Sequence, residues 1–246
     1  MGEDLAPQPK IYNPQEYAPR RIAQIGLDDL IGSVVKVGDG RGFVVAGGDE
    51  RIMDGGKSYV ISAAHCLPHV PPPHLARYLH EETYPRLIGP LGAKPSVTAT
   101  CVFVDPIADI AVLGPPDYEA LSREYDQYQA FLAALPPFDI TAPPPRPRLR
   151  MPAFDDEEPP AFRRLGEVSF PGRVMSLEGQ WIDCNVRRLG GPFLIEPEEL
   201  VKSGMSGSPL ISPTGAALGV VSTSNWAAVL ADGLPGWLLR ALACGC

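Results

Sequence analysis

Short apolar runs, rather than long helical stripes, set the pattern of this chain. Residues 31–37 and 42–46 alternate or run apolar through Val, Ile and Phe, and Gly47-Gly48 then turns the chain. Tyr59-Val60-Ile61-Ser62 and the stretch from Val97 to Val104 repeat the pattern, and Asp109 opens Ile110-Ala111-Val112-Leu113. Runs of this length rich in β-branched residues and bounded by Gly and Pro predict strands. The second half reads alike. Glu167–Phe170, Gly172–Leu177, Gln180–Arg188 and Phe193–Ile195 are candidate strands separated by Gly and Pro. Pro209–Ser212 and Ala217–Ser222 form a hairpin that turns at Pro213-Thr214-Gly215.

One stretch has a different period. Tyr118, Leu121, Tyr125, Tyr128, Leu132 and Leu135 recur every three or four residues, which predicts an amphipathic helix over 117–135. Pro136-Pro137, Pro143-Pro144-Pro145-Arg146-Pro147 and Asp155-Asp156-Glu157-Glu158-Pro159-Pro160 follow. Proline lacks an N–H and fixes φ, so this region reads as a surface linker, with a ligand for a proline-binding module as the alternative for 143–147. A closing helix is expected over Gly236–Ala243, packing Trp237, Leu238 and Leu239 on the second half. The expected organisation is an N-terminal extension (1–29), a β-rich unit (30–115), a helix and Pro-rich linker (116–165), a second β-rich unit (166–232) and a helical tail (233–246).

At 246 residues and 45% hydrophobic, the chain can bury a full core. Its 21 basic and 29 acidic residues leave a net charge of −8, which argues against a nucleic-acid or anionic-membrane partner. The segment Met1–Lys10 has no basic start followed by an apolar stretch, and no apolar run is long enough to span a bilayer. Five cysteines, at 66, 101, 184, 244 and 246, are an odd number without framework spacing. Together these features predict a cytoplasmic protein in which Cys66 is a packed, unpaired thiol, with metal binding or oxidation as the alternative for the tail Cys244-Gly245-Cys246. Cys66, His69, His74 and His80 are zinc-binding residue types, but Pro71-Pro72-Pro73 interrupts them and the spacing matches no common site. No metal and no cofactor is expected.

Three short segments carry chemistry. Ala64-His65-Cys66 follows an apolar run, Asp109 opens another, and Gly204-Met205-Ser206-Gly207-Ser208-Pro209 precedes the late hairpin. A serine hydroxyl is a poor nucleophile at neutral pH; it needs an imidazole to take its proton and a carboxylate to fix the imidazole's tautomer. Ser206, His65 and Asp109 supply that set. Backbone N–H groups of Gly204 and Ser206 would meet the oxygen that becomes negative during attack. Asp105 is a rival acid, but Pro106 follows it and a turn role suits it better.

In the order His, Asp, Ser these segments resemble the chymotrypsin/trypsin-like serine peptidases. Ile61-Ser62-Ala63-Ala64-His65-Cys66 is similar to that family's histidine motif, and Asp105–Leu113 is closer to the bacterial high-temperature-requirement (Deg) branch, here without a downstream peptide-binding domain. The resemblance implies two six-stranded antiparallel β-barrels, with His65 and Asp109 in the first and Ser206 in the second. It also implies an endopeptidase working through an acyl-enzyme on a peptide or protein substrate. A protease-fold module that binds peptides without cutting them is the alternative.

By alignment from Ser206, Leu200 and Val201 would form the base of the pocket for the residue before the cut, with Ser222, Thr223 and Ser224 along one wall. None is charged, so a small or medium aliphatic side chain is the expected preference. Two departures stand out. The strand preceding His65, Gly40-Arg41-Gly42-Phe43-Val44-Val45, lacks the cysteine that pairs with the one after the histidine in many secreted relatives. Met205 replaces the aspartate that pairs with a newly freed amino terminus in relatives activated by clipping. The site is therefore expected to be formed constitutively, or to be organised by a regulatory partner or the linker.

Overall fold

The computed structural model describes residues 26–47, 58–71, 82–141, 168–188, 193–198, 201–225 and 228–233. Among them are β1 (Val34–Val37), β2 (Gly40–Ala46), β3 (Ser58–Ala63), β4 (Glu82–Pro90), β5 (Val97–Asp105) and β6 (Ile110–Gly114). The helix α1 (Ser122–Ala133) follows, then β7 (Val168–Met175), β8 (Trp181–Arg188), β9 (Phe193–Pro197), β10 (Pro209–Ile211), β11 (Ala217–Asn225) and β12 (Ala228–Gly233). The first six strands close a barrel in the order β1-β2-β3-β6-β5-β4, and the last six close another in the order β10-β11-β12-β9-β8-β7. This is the chymotrypsin-like pair of antiparallel barrels, and closure leaves neither sheet an open edge.

The apolar runs become strands because both of their faces are covered. All five residues of β6 are buried, as is β2 up to Val45, so continuous Val/Ile sequence suits them better than alternation. The outer cover on β3 and β5 is α1, whose buried Tyr128 and Leu132 face the barrel. The Tyr128 hydroxyl lies 3.1 Å from Ser58 O and 3.0 Å from Leu113 O, and burial raises its phenol well above the ordinary range. The helix starts later than its apolar period suggests. Asp117 forms a turn first, accepting the N–H groups of Glu119 through its carboxylate and of Leu121 through its carbonyl.

The first proline pair does not begin a free spacer. Behind it the chain lies as a strap across both barrels: Phe138 N–H donates to Val44 O at 2.8 Å, Ala217 N–H to Asp139 O at 2.7 Å and Thr141 N–H to Ala217 O at 3.0 Å. Phe138 is buried edge-on against Phe43 and Trp181. The core of the first barrel runs on into Met175, Ile211, Ala217 and Val220 of the second, so the seam between barrels is apolar. A separate cluster of Val174, Ile182, Val186, Phe193, Ile195, Met205, Leu210, Leu218 and Val221 fills the second barrel.

Several elements differ from the sequence pattern. Residues Asp29–Ser33 form a 3-10 turn, so β1 starts only at Val34. Strand β4 carries Pro85, a positive φ of 51° at Arg86 and a register shift between Tyr84 and Ile88, which together erase any readable alternation. The strands β4 and β12 therefore went unpredicted, whereas β7 runs unbroken through Pro171-Gly172. Pro171 is accommodated because β7 meets β10 in only one ladder pair, Ile211 with Arg173, where a missing donor costs least. The N-terminal extension up to residue 25, the proline runs after 141 and the expected C-terminal helix lie outside the described residues.

Candidate active site

Strand β3 ends at Ala63, and a single 3-10 turn, Ala64–Cys66, carries His65 out of the barrel wall. Asp109 approaches from the turn between β5 and β6. Asp105 builds that turn, its Oδ1 accepting the N–H groups of Ile107 at 2.9 Å and Ala108 at 3.0 Å, which is the turn role expected of it. Asp109 itself takes a left-handed φ of 51°, a conformation that aspartate tolerates better than most residues. The kink aims its carboxylate at His65.

The carboxylate receives three donors. Oδ1 accepts the backbone N–H of His65 at 2.9 Å; Oδ2 accepts His65 Nδ1–H at 2.6 Å and the Ser222 hydroxyl at 2.6 Å. Ala64 N–H adds a bond of 3.0 Å to the Asp109 carbonyl. A carboxylate offers only lone pairs, so in this contact Nδ1 carries the hydrogen and donates it. The Asp109 side chain is 17% exposed against 46% for His65, so the acid is covered while the base faces the cleft.

Ser206 lies on the loop before β10, docked against the first barrel. Its carbonyl accepts Arg41 N–H at 2.8 Å and lies 3.6 Å from the thiol of Cys66, the residue after His65. Gly207, at φ 83°, donates to Val221 O at 2.7 Å; a Cβ there would stand 1.8 Å from the Arg41 carbonyl oxygen. The hydroxyl of Ser206 and Nε2 of His65 share no hydrogen bond. Such contacts are often long in unliganded sites and tighten around substrate.

Gly204 has a φ of 93°, and its N–H and that of Ser206 form no hydrogen bond among the described residues. Between them Met205 is 1% exposed and belongs to the core of the second barrel. Its sulfur accepts Lys202 N–H at 3.2 Å, and its own N–H donates to Lys202 O at 3.2 Å. An apolar plug thus anchors the loop.

Val201 is half-buried against the second core, whereas Leu200 lies outside the described residues. Thr223 and Ser224 run along β11 opposite Leu230 and Val229 of β12. The Ser222 hydroxyl donates to Asp109 Oδ2 at 2.6 Å. The sequence carried no signal for that contact, which spans the two barrels.

Sequence reasoning missed Arg41, whose one signal is a charge immediately before the apolar run 42–46. It is 4% exposed, and its guanidinium donates to the carbonyls of Ser176 (2.7 Å), Leu177 (3.0 Å) and Met175 (3.3 Å) across the seam. Burial lowers its pKa and nearby Glu178 opposes that shift.

Cys66 and Cys184 are buried free thiols, and Cys101 is buried with its sulfur 3.3 Å from Phe103 O. The strand position facing Cys66 is Gly40, where a Cβ would lie 2.3 Å from the sulfur. Burial pushes the thiol of Cys66 up to about 11 and that of Cys184 up to about 12, from an ordinary 9.0. A raised value means that the fold favours the neutral thiol, so this stabilisation is complete below pH ~9 and is lost as pH rises through the folded values. Iodoacetamide at pH 8 is expected to leave both thiols unmodified until urea unfolds the protein, and the urea midpoint should fall between pH 9 and 11. Rapid alkylation of the folded chain, or an unchanged midpoint, would contradict this.

Of the zinc-type residues, His69 pairs with Glu82 beneath Tyr84, while His74 and His80 lie outside the described residues. Among the described residues no group of three metal-ligating side chains converges, and no helix is long and apolar enough to cross a membrane.

No protein-family model and no curated protein matches the chain. Among solved structures it is similar to the inactive form of the Rv3671c protease of M. tuberculosis, at 20% identity over 87% of this chain and 88% of that one, TM-score 0.45. It is also similar to a human pathogenic astrovirus serine protease (13% identity, 83% and 89% covered, TM-score 0.43). A third similarity is to the MamO protease domain of Magnetospirillum magneticum (13% identity, 86% and 96% covered, TM-score 0.42). These neighbours are distant proteases, and the two-barrel fold rests on the strand order itself.

Proposed function

We propose that this protein is a serine endopeptidase. Ser206 attacks the peptide carbonyl while His65 Nε2 takes its proton and later passes it to the leaving amine. Asp109 holds the imidazole, and the N–H groups of Gly204 and Ser206 receive the developing oxyanion. Water then clears the acyl-enzyme. The observation that carries this reading is the carboxylate of Asp109 gripping both the backbone and Nδ1 of His65, which is what a general base needs to keep Nε2 free. Docking of the Ser206 carbonyl beside Cys66 supports it by bringing the nucleophile's loop next to that base.

An uncharged pocket built on Val201 and Leu200, with the backbone of Ser222–Ser224 pairing as an added strand, favours a small or medium aliphatic residue before the cut. Buried free thiols at Cys66 and Cys184 fit action in the reducing cytoplasm. Placement near the Deg branch rests on Asp105–Leu113 alone.

A fluorophosphonate probe tests the reading. Covalent labelling of the wild type that vanishes in Ser206→Ala is expected, and mass spectrometry of a digested peptide library would then give the residue preference. A folded wild type that binds peptides but never takes the label would instead make the chain a recognition module.

A further inference from the structure

We infer that Arg41 is a positioning residue, a clasp between barrels that seats the nucleophile's loop without any proteolytic trigger; this rests on the serine-peptidase reading of Ser206. Three parts of Arg41 act at once. Its backbone N–H holds the Ser206 carbonyl at 2.8 Å. Its carbonyl accepts the Ser62 hydroxyl at 2.6 Å and closes over Gly207, where no larger residue fits. Its guanidinium crosses the seam to three carbonyl oxygens at the β7–β8 turn, those of Met175, Ser176 and Leu177.

That turn is internally braced. Ser176 N–H donates to Gln180 O at 2.7 Å, Gly179 N–H to Ser176 O at 3.1 Å and Gln180 N–H to Ser176 Oγ at 3.1 Å. It also leans on the loop that carries the nucleophile. A methyl of Leu177 lies 3.5 Å from where a Cβ on Gly204 would be, and Glu178 pairs with Lys202 at 3.5 Å. Arg41 therefore ties the first barrel to the turn and the turn touches Gly204, while its backbone ties the same barrel to Ser206.

A buried charge is a costly way to fill space, and an aliphatic side chain would pack the seam more cheaply. Among the described residues no carboxylate hydrogen-bonds to this guanidinium; three carbonyl oxygens receive it, with the charge of Glu178 nearby. The rigid, planar fork converging on neighbouring oxygens sets an orientation, which a flexible ammonium on a longer swing cannot reproduce. Orientation matters here because oxyanion donors act only at the right distance, and a misplacement near 1 Å costs about a hundredfold in rate.

The test compares the full-length wild type with Arg41→Met and Arg41→Lys by residue-resolved amide hydrogen exchange, fluorophosphonate labelling and peptide hydrolysis. In Arg41→Met, amides of the 176–180 turn and of Met205, Gly207 and Ser208 should exchange at least ~10-fold faster while Val60 and Val112 in β3 and β6 stay unchanged. Labelling should slow about a hundredfold, with the loss in kcat and KM held within about twofold, and Arg41→Lys should recover part of it. Unchanged exchange at the turn and loop overturns the clasp, as does faster exchange spread equally over β3 and β6. Local loosening with labelling at the wild-type rate overturns the positioning role. If the turn and loop loosen but the wild type itself never labels, the clasp stands and the peptidase reading falls.

Discussion

Asparagine in place of Asp109 is expected to lower kcat about ten-thousand-fold while leaving the fold in place. The substitution is chosen for its backbone. Asparagine shares aspartate's tolerance of the left-handed region, so the φ of 51° at this position should persist. Its amide oxygen can still accept the His65 N–H that Oδ1 now accepts at 2.9 Å. The other atom then becomes an NH2 group facing His65 Nδ1 and the Ser222 hydroxyl, both donors at 2.6 Å in the wild type. To avoid donor against donor, His65 must move its proton to Nε2, the atom that should receive the proton of Ser206. The base is lost through tautomer choice. Peptide hydrolysis with a parallel thermal melt checks this: a fall in kcat with a Tm near that of wild type is expected, and activity within tenfold of wild type would refute Asp109 as the orienting acid.

Alanine at Gly207 is expected to destabilise the protein by about 4 kcal/mol or more, at the extreme of single substitutions. Two costs add. The φ of 83° is strained for any residue with a Cβ, and that atom would stand 1.8 Å from the Arg41 carbonyl oxygen and 2.9 Å from Ser62 Oγ. Neither obstacle is the free end of a flexible side chain; the first is backbone of a buried strand. The loop must therefore lift, which breaks the Gly207 bond to Val221 O (2.7 Å) and the Arg41 bond to Ser206 O (2.8 Å) together. Urea unfolding measures the loss, and fluorophosphonate labelling at least a hundredfold slower should accompany it. Alanine tolerated within 1 kcal/mol of wild type would mean that the loop does not dock as described.

Much of the molecule was readable before any coordinates. The runs at 42–46, 59–62, 97–104 and 110–113 all became strands, because residues buried on both faces leave an apolar run that needs no partner to be recognised. The strand β4 was not readable, since Pro85 and the kink at Arg86 remove the alternation while its pairing with β1 and β5 still makes it a strand. The strap behind Pro136-Pro137 reads as a linker for the same reason: its role comes from hydrogen bonds that Phe138, Asp139 and Thr141 make with Val44 and Ala217 across the fold.

Residue identity alone named the candidate nucleophile, base and acid, because chemistry resides in side chains whatever their surroundings. Only tertiary structure decided that Ser222 spends its hydroxyl on Asp109, that Met205 plugs the second core and that Arg41 spans the seam. Each of those contacts joins residues far apart in the chain. Local periodicity reports which face of an element is buried, but it holds no record of what lies opposite once two barrels close against each other.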